Sequence, residues 1–378
     1  MRATVALAAI AVLLAGLAGA AASARSSGAP TADARAWLVE NPLTGDVLTE
    51  HDDRYRVPIA SITKLMTIIV ALQHLKLNDV VTVDPRAAAV GQESVYLQAG
   101  QQITVHDLVK GALIQSANDA ADALALATAP SYPAFAAMMN AKAQQLGLTD
   151  SHFVRPDGLD AAGEYSSARD VARLALDAMK IPVVRNTVDK VTGTLADGFQ
   201  LHTWNDLLGV FPGVFGVKTG HTNRAGWCQV AAVRGDGTVI YAVILGSPSR
   251  AQRNSDLERL LAYGLDQYRM VDAISAGSRY ATVKVPFGRK PVALVASGRL
   301  QAVVRVGDTL TERVVAPLVA SLPVARGQVL GHVQIWARGK LIGVRPLVAS
   351  RAVARPGFTA RAEWYVTRTV SNVVDLFS

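Results

Sequence analysis

Cysteine is almost absent: Cys228 is the only one in 378 residues. A single cysteine excludes an internal disulfide and any thiolate metal cluster. The seven histidines form no HxH or HxxxH pair, so the sequence carries no zinc signature and implies no metal or other cofactor. Charge is scarce too, at 18% of residues against 50% hydrophobic, which excludes a disordered chain and fits a large folded core. Acidic residues thin out toward the C-terminus. From Ser275 onward, 15 Lys and Arg stand against 4 Asp and Glu, a net +11 that leaves −3 for the rest of the chain. This asymmetry points to two domains with different surroundings.

The N-terminus has the pattern of an export signal. Arg2 supplies a short basic start, residues 3–22 are uncharged and mostly apolar, and Ala22-Ser23-Ala24 is an A-x-A cleavage site. Residues 1–24 are therefore expected to be a signal peptide. For an exported chain, anionic lipid or wall polymer is the expected contact of the basic region, and nucleic acid is not.

Next come two strand-like runs, 36–40 and 46–49, joined by Asn41-Pro42-Leu43-Thr44-Gly45 as a hairpin. Helix-period segments follow over 59–75, 104–115, 119–129, 132–146 and 167–179. Thr104 and Ser167 are placed to cap two of them. The pattern then returns to strands over 216–219, 227–234 and 238–245, the last two joined by Gly235-Asp236-Gly237, and a helix is expected over 255–268. Strands at both ends of a helical middle predict an α+β domain with one antiparallel sheet. Beyond Ala276-Gly277-Ser278, short β-like runs with Gly and Pro punctuation predict a small all-β domain. The expected layout is a catalytic domain over 25–274, the β-rich domain over 275–350, and a basic linker with an amphipathic helix over 351–378.

Three motifs carry chemistry. Ser61-Ile62-Thr63-Lys64 opens an apolar helix, Ser116-Ala117-Asn118 lies between two helices, and Lys218-Thr219-Gly220 ends a strand. Residues i and i+3 share a helical face, so the Lys64 amine can reach the Ser61 hydroxyl. A serine hydroxyl is a weak nucleophile until a neighbouring base takes its proton. Lysine serves as that base when burial or a second cation, here Lys218, lowers its pKa. Each motif alone is weak. All three in this order match the set used by penicillin-binding proteins and class A β-lactamases.

With these motifs in their fuller text — Ala60 to Thr67, Ser116 to Ala120, Lys218 to Thr222 — the chain resembles the low-molecular-mass penicillin-binding proteins of the D-alanyl-D-alanine carboxypeptidase type. Pro156-Asp157-Gly158-Leu159, the following Ser166 to Asp170, and the β-rich stretch 327–348 fit the same family. Two positions depart from its pattern: Ala117 stands where Gly is frequent, and Arg155 where Asn is more usual. The resemblance implies a β-lactamase/transpeptidase-like domain followed by a β-rich module. It implies removal of the terminal D-Ala from peptidoglycan stem peptides ending in D-Ala-D-Ala, and covalent binding of β-lactam inhibitors. Ser61 is then the acylated nucleophile and Lys64 its base. Ser116 relays protons to the leaving amine, and Asn118 holds the substrate amide. Lys218 and Thr219, with Gly220 beside them, bind the terminal carboxylate, while the backbone amides of Ser61 and His221 form the oxyanion hole.

A β-lactamase shares the motifs but needs a carboxylate to drive deacylation. Glu164 lies in the right region, yet the Glu-x-x-x-Asn arrangement is absent. A D,D-endopeptidase on the same fold is a second alternative. A non-catalytic wall-binding protein is a third, opposed by the presence of both Ser61 and Lys64. At the C-terminus, Val366, Val370, Val373 and Phe377 form one helical stripe, preceded by Lys340, Arg345, Arg351, Arg355 and Arg361 with no acid among them. The pattern predicts a helix lying in a membrane interface.

Overall fold

The computed structural model describes residues 9–12 and 28–374. The expected cleavage site Ala22-Ser23-Ala24 and the tail 375–378, with Phe377, lie outside the described residues. The chain forms two compact units, Arg25–Gln267 and Tyr268–Ser378, the second including the N-terminal Met1–Ala24.

The first unit is built on a five-stranded antiparallel sheet in the order Asp46–His51, Ala36–Asn41, Thr238–Ser247, Gly226–Gly235, Val214–Thr222. Ala36–Asn41 pairs with Thr238–Ser247, so the helical stretch is an insertion between neighbouring strands. Both hairpins close where the turn residues predict. Asn41 Oδ1 accepts from the amides of Leu43 and Thr44, and Asp236 and Gly237 take positive φ, matching the twist of their strands.

Side chains alternate across the sheet. Leu38, Val230, Ala232, Tyr241 and Val243 enter the main core with the helices. Val39, Val233 and Ala242 are buried on the opposite face, where the helix Arg250–Asp266 contributes Leu257, Leu260 and Leu261. The unit is thus layered helix, sheet, helices. At its centre is the helix Lys64–Ala71, buried on every side. Asn118–Thr128, Tyr132–Leu146 and Ala168–Ala178 pack against it. Each large apolar side chain buried this way contributes about 1.5–3 kcal/mol.

The predicted caps form: Thr104 Oγ1 accepts from Asp107 N at 3.1 Å, and Ser167 Oγ from Asp170 N at 3.2 Å. Two helices differ from expectation. The segment expected as one helix over 59–75 begins as a 3₁₀ turn, Ala60–Thr63, and becomes α-helical only at Lys64. The helix opened by Thr104 stops at Lys110 and widens into a π turn, Gly111–Gln115, that delivers Ser116 in the left-handed conformation with φ 64°.

The second unit holds a six-stranded sheet in the order Ala9–Val12, Leu310–Val315, Val329–Ala337, Lys340–Ala349, Val292–Ala296, Arg279–Val283. Tyr268–Ile274 pairs separately with Leu300–Arg305. Val283, Leu294, Val333, Ile335 and Leu347 close its core. The terminal helix runs Phe358–Val374. Trp364 and Tyr365 meet Phe287 edge-on, with ring centroids 5.4 and 5.9 Å away. Val366 and Val370 of the predicted apolar stripe remain exposed. Among the described residues no helix is long and apolar enough to cross a membrane.

Candidate active site

The 3₁₀ turn that carries Ser61 is pressed against the strand Val214–Thr222. A Cβ on Gly220 would lie 2.6 Å from the Ile59 carbonyl oxygen and 3.0 Å from Ser61 N, so only glycine lets the strand approach. The turn is itself bent: Ala60 has φ 51°, a left-handed conformation that side chains disfavour. The Ser61 hydroxyl faces a cleft of about 230 Å³ that Ser116, Thr219, Gly220 and His221 also line.

Lys64 is completely buried, and its Nζ has three acceptors: Ser61 Oγ at 2.8 Å, Asn118 Oδ1 at 2.8 Å and the Asp157 carbonyl at 2.7 Å. Burial lowers its pKa to about 8, opposed by the charges of Asp157, Asp122, Asp119 and Glu164. An amine so held can be neutral near physiological pH and take a proton from Ser61.

Lys218 is buried too. Its Nζ donates to Ser116 Oγ at 2.8 Å and to the Thr219 carbonyl at 2.9 Å. Desolvation, then repulsion from Lys64, hold its pKa well below the usual lysine value. Ser116 therefore bridges the second motif to the third. Asn118 is engaged at both ends, since its Nδ2 donates to the Gly91 carbonyl at 3.0 Å. One amide N–H remains for a ligand. His221 stacks on Trp227 with centroids 4.0 Å apart, and burial lowers its pKa. The eight residues singled out in the sequence thus converge within one unit: Ser61, Ser116, Thr219, Gly220 and His221 on the cleft wall, and Lys64, Asn118 and Lys218 through the contacts above.

Arg253 also lines the cleft and was not singled out in the sequence. It is 1% exposed, bonded to Asp206 and Asn254, and lies over Trp227 at 5.7 Å. Its pKa is lowered by burial to about 10, so it stays cationic at neutral pH. The predicted helix over 255–268 began too late to include it. The missed signal was Ser249-x-x-Gln252, a capping box whose Ser249 Oγ accepts from Gln252 N at 3.1 Å. Gln92, Glu93, Trp204 and Trp227 complete the wall without any local motif.

Glu164 is not on the cleft wall. Its oxygens accept from Thr63 Oγ1 at 2.9 Å and from the amides of Val154 and Arg155 at 3.2 and 3.0 Å. Burial pushes its carboxyl up to about 7. It fastens the loop before Asp157 to the Ser61 turn. Cys228 is a buried thiol, pushed up to about 11 by desolvation.

A family model described as D-alanyl-D-alanine carboxypeptidase matches residues 23–249, and one for the C-terminal domain of penicillin-binding protein 5 matches residues 268–355. The chain is 35% identical over 356 residues to D-alanyl-D-alanine carboxypeptidase DacC of Escherichia coli, covering 88% of this chain and 87% of that protein. It is 31% identical over 340 residues to D-alanyl-D-alanine carboxypeptidase DacF of Bacillus subtilis, covering 85% and 86%. Among solved structures, PBP3 of Streptococcus pneumoniae superposes with TM-score 0.64 at 26% identity, over 85% of this chain and 100% of that one. With a family model spanning more than half of its length and relatives above 30% identity along most of it, the chain belongs to the D-alanyl-D-alanine carboxypeptidase family.

Proposed function

We propose that this serine-type D-Ala-D-Ala carboxypeptidase works through an acyl-enzyme on Ser61. The observation that carries the reading is the 2.8 Å contact between Lys64 Nζ and the Ser61 hydroxyl. As a free base, Lys64 takes the hydroxyl proton while Oγ attacks the carbonyl carbon of the penultimate D-Ala. The amides of Ser61 and His221 hold the resulting oxyanion. The proton held by Lys64 then passes through the Ser116 hydroxyl to the departing nitrogen, the C–N bond breaks, and the terminal D-Ala leaves with Lys64 neutral again. Water then attacks the ester carbonyl while Lys64 accepts its proton, the bond to Ser61 Oγ breaks as Lys64 returns that proton to Oγ, and the shortened stem peptide is released.

The substrate ends in a carboxylate; the cleft wall carries the buried Arg253 and the Thr219 hydroxyl, and Lys218 stands behind it, bonded to the lining residue Ser116. Such charge-assisted contacts select a free C-terminus. The side-chain amide of Asn118 holds the peptide on the acyl side. A β-lactam offers the same acyl group in a ring whose leaving nitrogen stays tethered. Penicillin is therefore expected to add its own mass to the protein and to persist. Mass spectrometry after penicillin treatment tests this, with Ser61→Ala losing both the label and D-Ala release. Labelling that survives in Ser61→Ala rules the assignment out. Glu164, held by Thr63 and two amides, is not free to activate water, which argues against a dedicated β-lactamase.

The same reading has residues 1–24 exporting the enzyme and the terminal helix holding it on the outer face of the cytoplasmic membrane. Exposed Val366 and Val370 and the basic run from Lys340 to Arg361 support it, each cation favouring anionic lipid by about 1 kcal/mol. Deleting the residues after Arg361 should release the enzyme from membranes on cell fractionation. Full retention of the truncated enzyme rejects this anchor.

A further inference from the structure

We propose that Arg155, Asp157, Asp122 and Tyr132 form a positioning network that holds the Lys64 amine against Ser61 from the side away from the cleft. The inference rests on Lys64 being the base for Ser61.

Asp157 is the link. Its carbonyl accepts from Lys64 Nζ at 2.7 Å, while its fully buried carboxylate receives Arg155 Nε at 2.9 Å, Arg155 Nη2 at 2.5 Å and Leu159 N at 2.9 Å. A two-pronged guanidinium–carboxylate pair has little freedom to rotate, so it fixes the peptide unit that the amine leans on. Thr67 Oγ1 fastens the preceding residue through the Pro156 carbonyl at 2.6 Å.

Asp122 stands one helical turn beyond Asn118, which touches Lys64 directly. Its side chain is completely buried. One oxygen accepts from Tyr132 OH at 2.7 Å, and the other has no hydrogen-bond partner among the described residues. A buried carboxylate with a bare oxygen is costly unless nearby charge compensates it. Burial, then the charge of Asp157, push the Asp122 carboxyl up to about 7, opposed by the Tyr132 hydrogen bond and the cations Arg155 and Lys64, so it acts as an anion on Lys64 from neutral pH upward.

The two buried lysines show what the acids do. Both are fully desolvated. Lys218 feels one raising charge, Glu93, and two lowering ones, Lys64 and Arg253. Lys64 feels raising charges from Asp157, Asp122, Asp119 and Glu164. Asp119 and Glu164 are tied to loop amides, Asp119 through Val95 and Leu97. Among the described residues Asp122 accepts from the Tyr132 hydroxyl and from no backbone amide, so its charge remains directed at Lys64 and Arg155. Removing that anion makes the neutral amine easier to reach.

The test uses the full chain with Asp122→Asn, Arg155→Asn and Arg155→Lys. Penicillin acylation rates and D-Ala release are measured from about pH 5 to 10, with thermal melting as the control for folding. Asp122→Asn is expected to move the acid limb of the acylation profile to lower pH by on the order of half a unit to one unit. Arg155→Asn is expected to lower kcat by about 10- to 100-fold with KM little changed, and Arg155→Lys to recover only part of it. An unshifted Asp122→Asn profile, or wild-type kcat in Arg155→Asn, overturns the network. If Arg155→Asn melts early, the Asp122→Asn profile decides alone. Labelling that persists in Ser61→Ala overturns the underlying reading instead, whereas a dead Ser61→Ala beside an unshifted Asp122→Asn overturns the network only.

Discussion

Replacing Gly158 by alanine should disable the enzyme from outside the cleft. Gly158 follows Asp157, whose carbonyl holds Lys64, and has φ +77°. A Cβ there would lie 2.2 Å from the Ala60 carbonyl oxygen and 2.9 Å from Thr63 Cβ. Comfortable contact begins near about 3.5 Å, so the loop and the Ser61 turn must part by roughly 1 Å. The left-handed backbone adds a strain of about 1–2 kcal/mol for any residue with a side chain. Both neighbours are rigid: Ala60 belongs to the turn that presents Ser61, and Thr63 is bonded to Glu164. The displacement therefore falls on the distance between Asp157 O, Lys64 and Ser61. A misplacement of about 1 Å costs on the order of 100-fold in rate. The assay is the second-order rate constant for penicillin acylation, followed by mass spectrometry, with melting temperature as a control. Acylation within about threefold of wild type would refute the claim that this contact sets the geometry of the base.

Lys64→Ala should lose at least about 100-fold in D-Ala release while the domain stays folded, and a mutant keeping more than about a tenth of wild-type activity would assign the base elsewhere. Lys218→Gln should weaken handling of a free C-terminal carboxylate, and a C-terminally amidated peptide should be poor for wild type yet no worse for the mutant. Equal wild-type rates on acid and amide would remove Lys218 from that role. Glu164 predicts a pH dependence of stability. Its carboxyl is raised from the usual 4.5 to about 7, so the folded chain holds this proton more tightly than the unfolded one. The stability it contributes is complete below about pH 4.5 and is lost as pH rises through about 7. Glu164→Gln should remove that component, so the melting difference between wild type and mutant should change across this window. A difference that is constant with pH contradicts the assignment.

The sequence by itself determined what depends on neighbours along the chain. Hydrophobic periods and turn residues located the strands over 36–49 and 227–245, which the structure extends to Gly226 and Ser247. Thr104 and Ser167 marked helix starts because a cap needs only the amide three residues ahead. The Ser61/Lys64 pairing was legible for the same reason, since one turn of helix brings i and i+3 together. Tertiary structure decided everything that joins distant segments. Ser116 meets Lys218 across 102 positions, and Lys64 meets the Asp157 carbonyl across 93. No local pattern records either contact. Arg253 was hidden because an arginine on a polar helix reads as a surface charge until a sheet and Trp227 cover it. Arg155 looked remote from the chemistry because its effect passes through the carboxylate and then the carbonyl of Asp157. The shift of Lys64 to about 8 is likewise a property of the packed fold, where removal of water and four carboxylates oppose one another at one nitrogen.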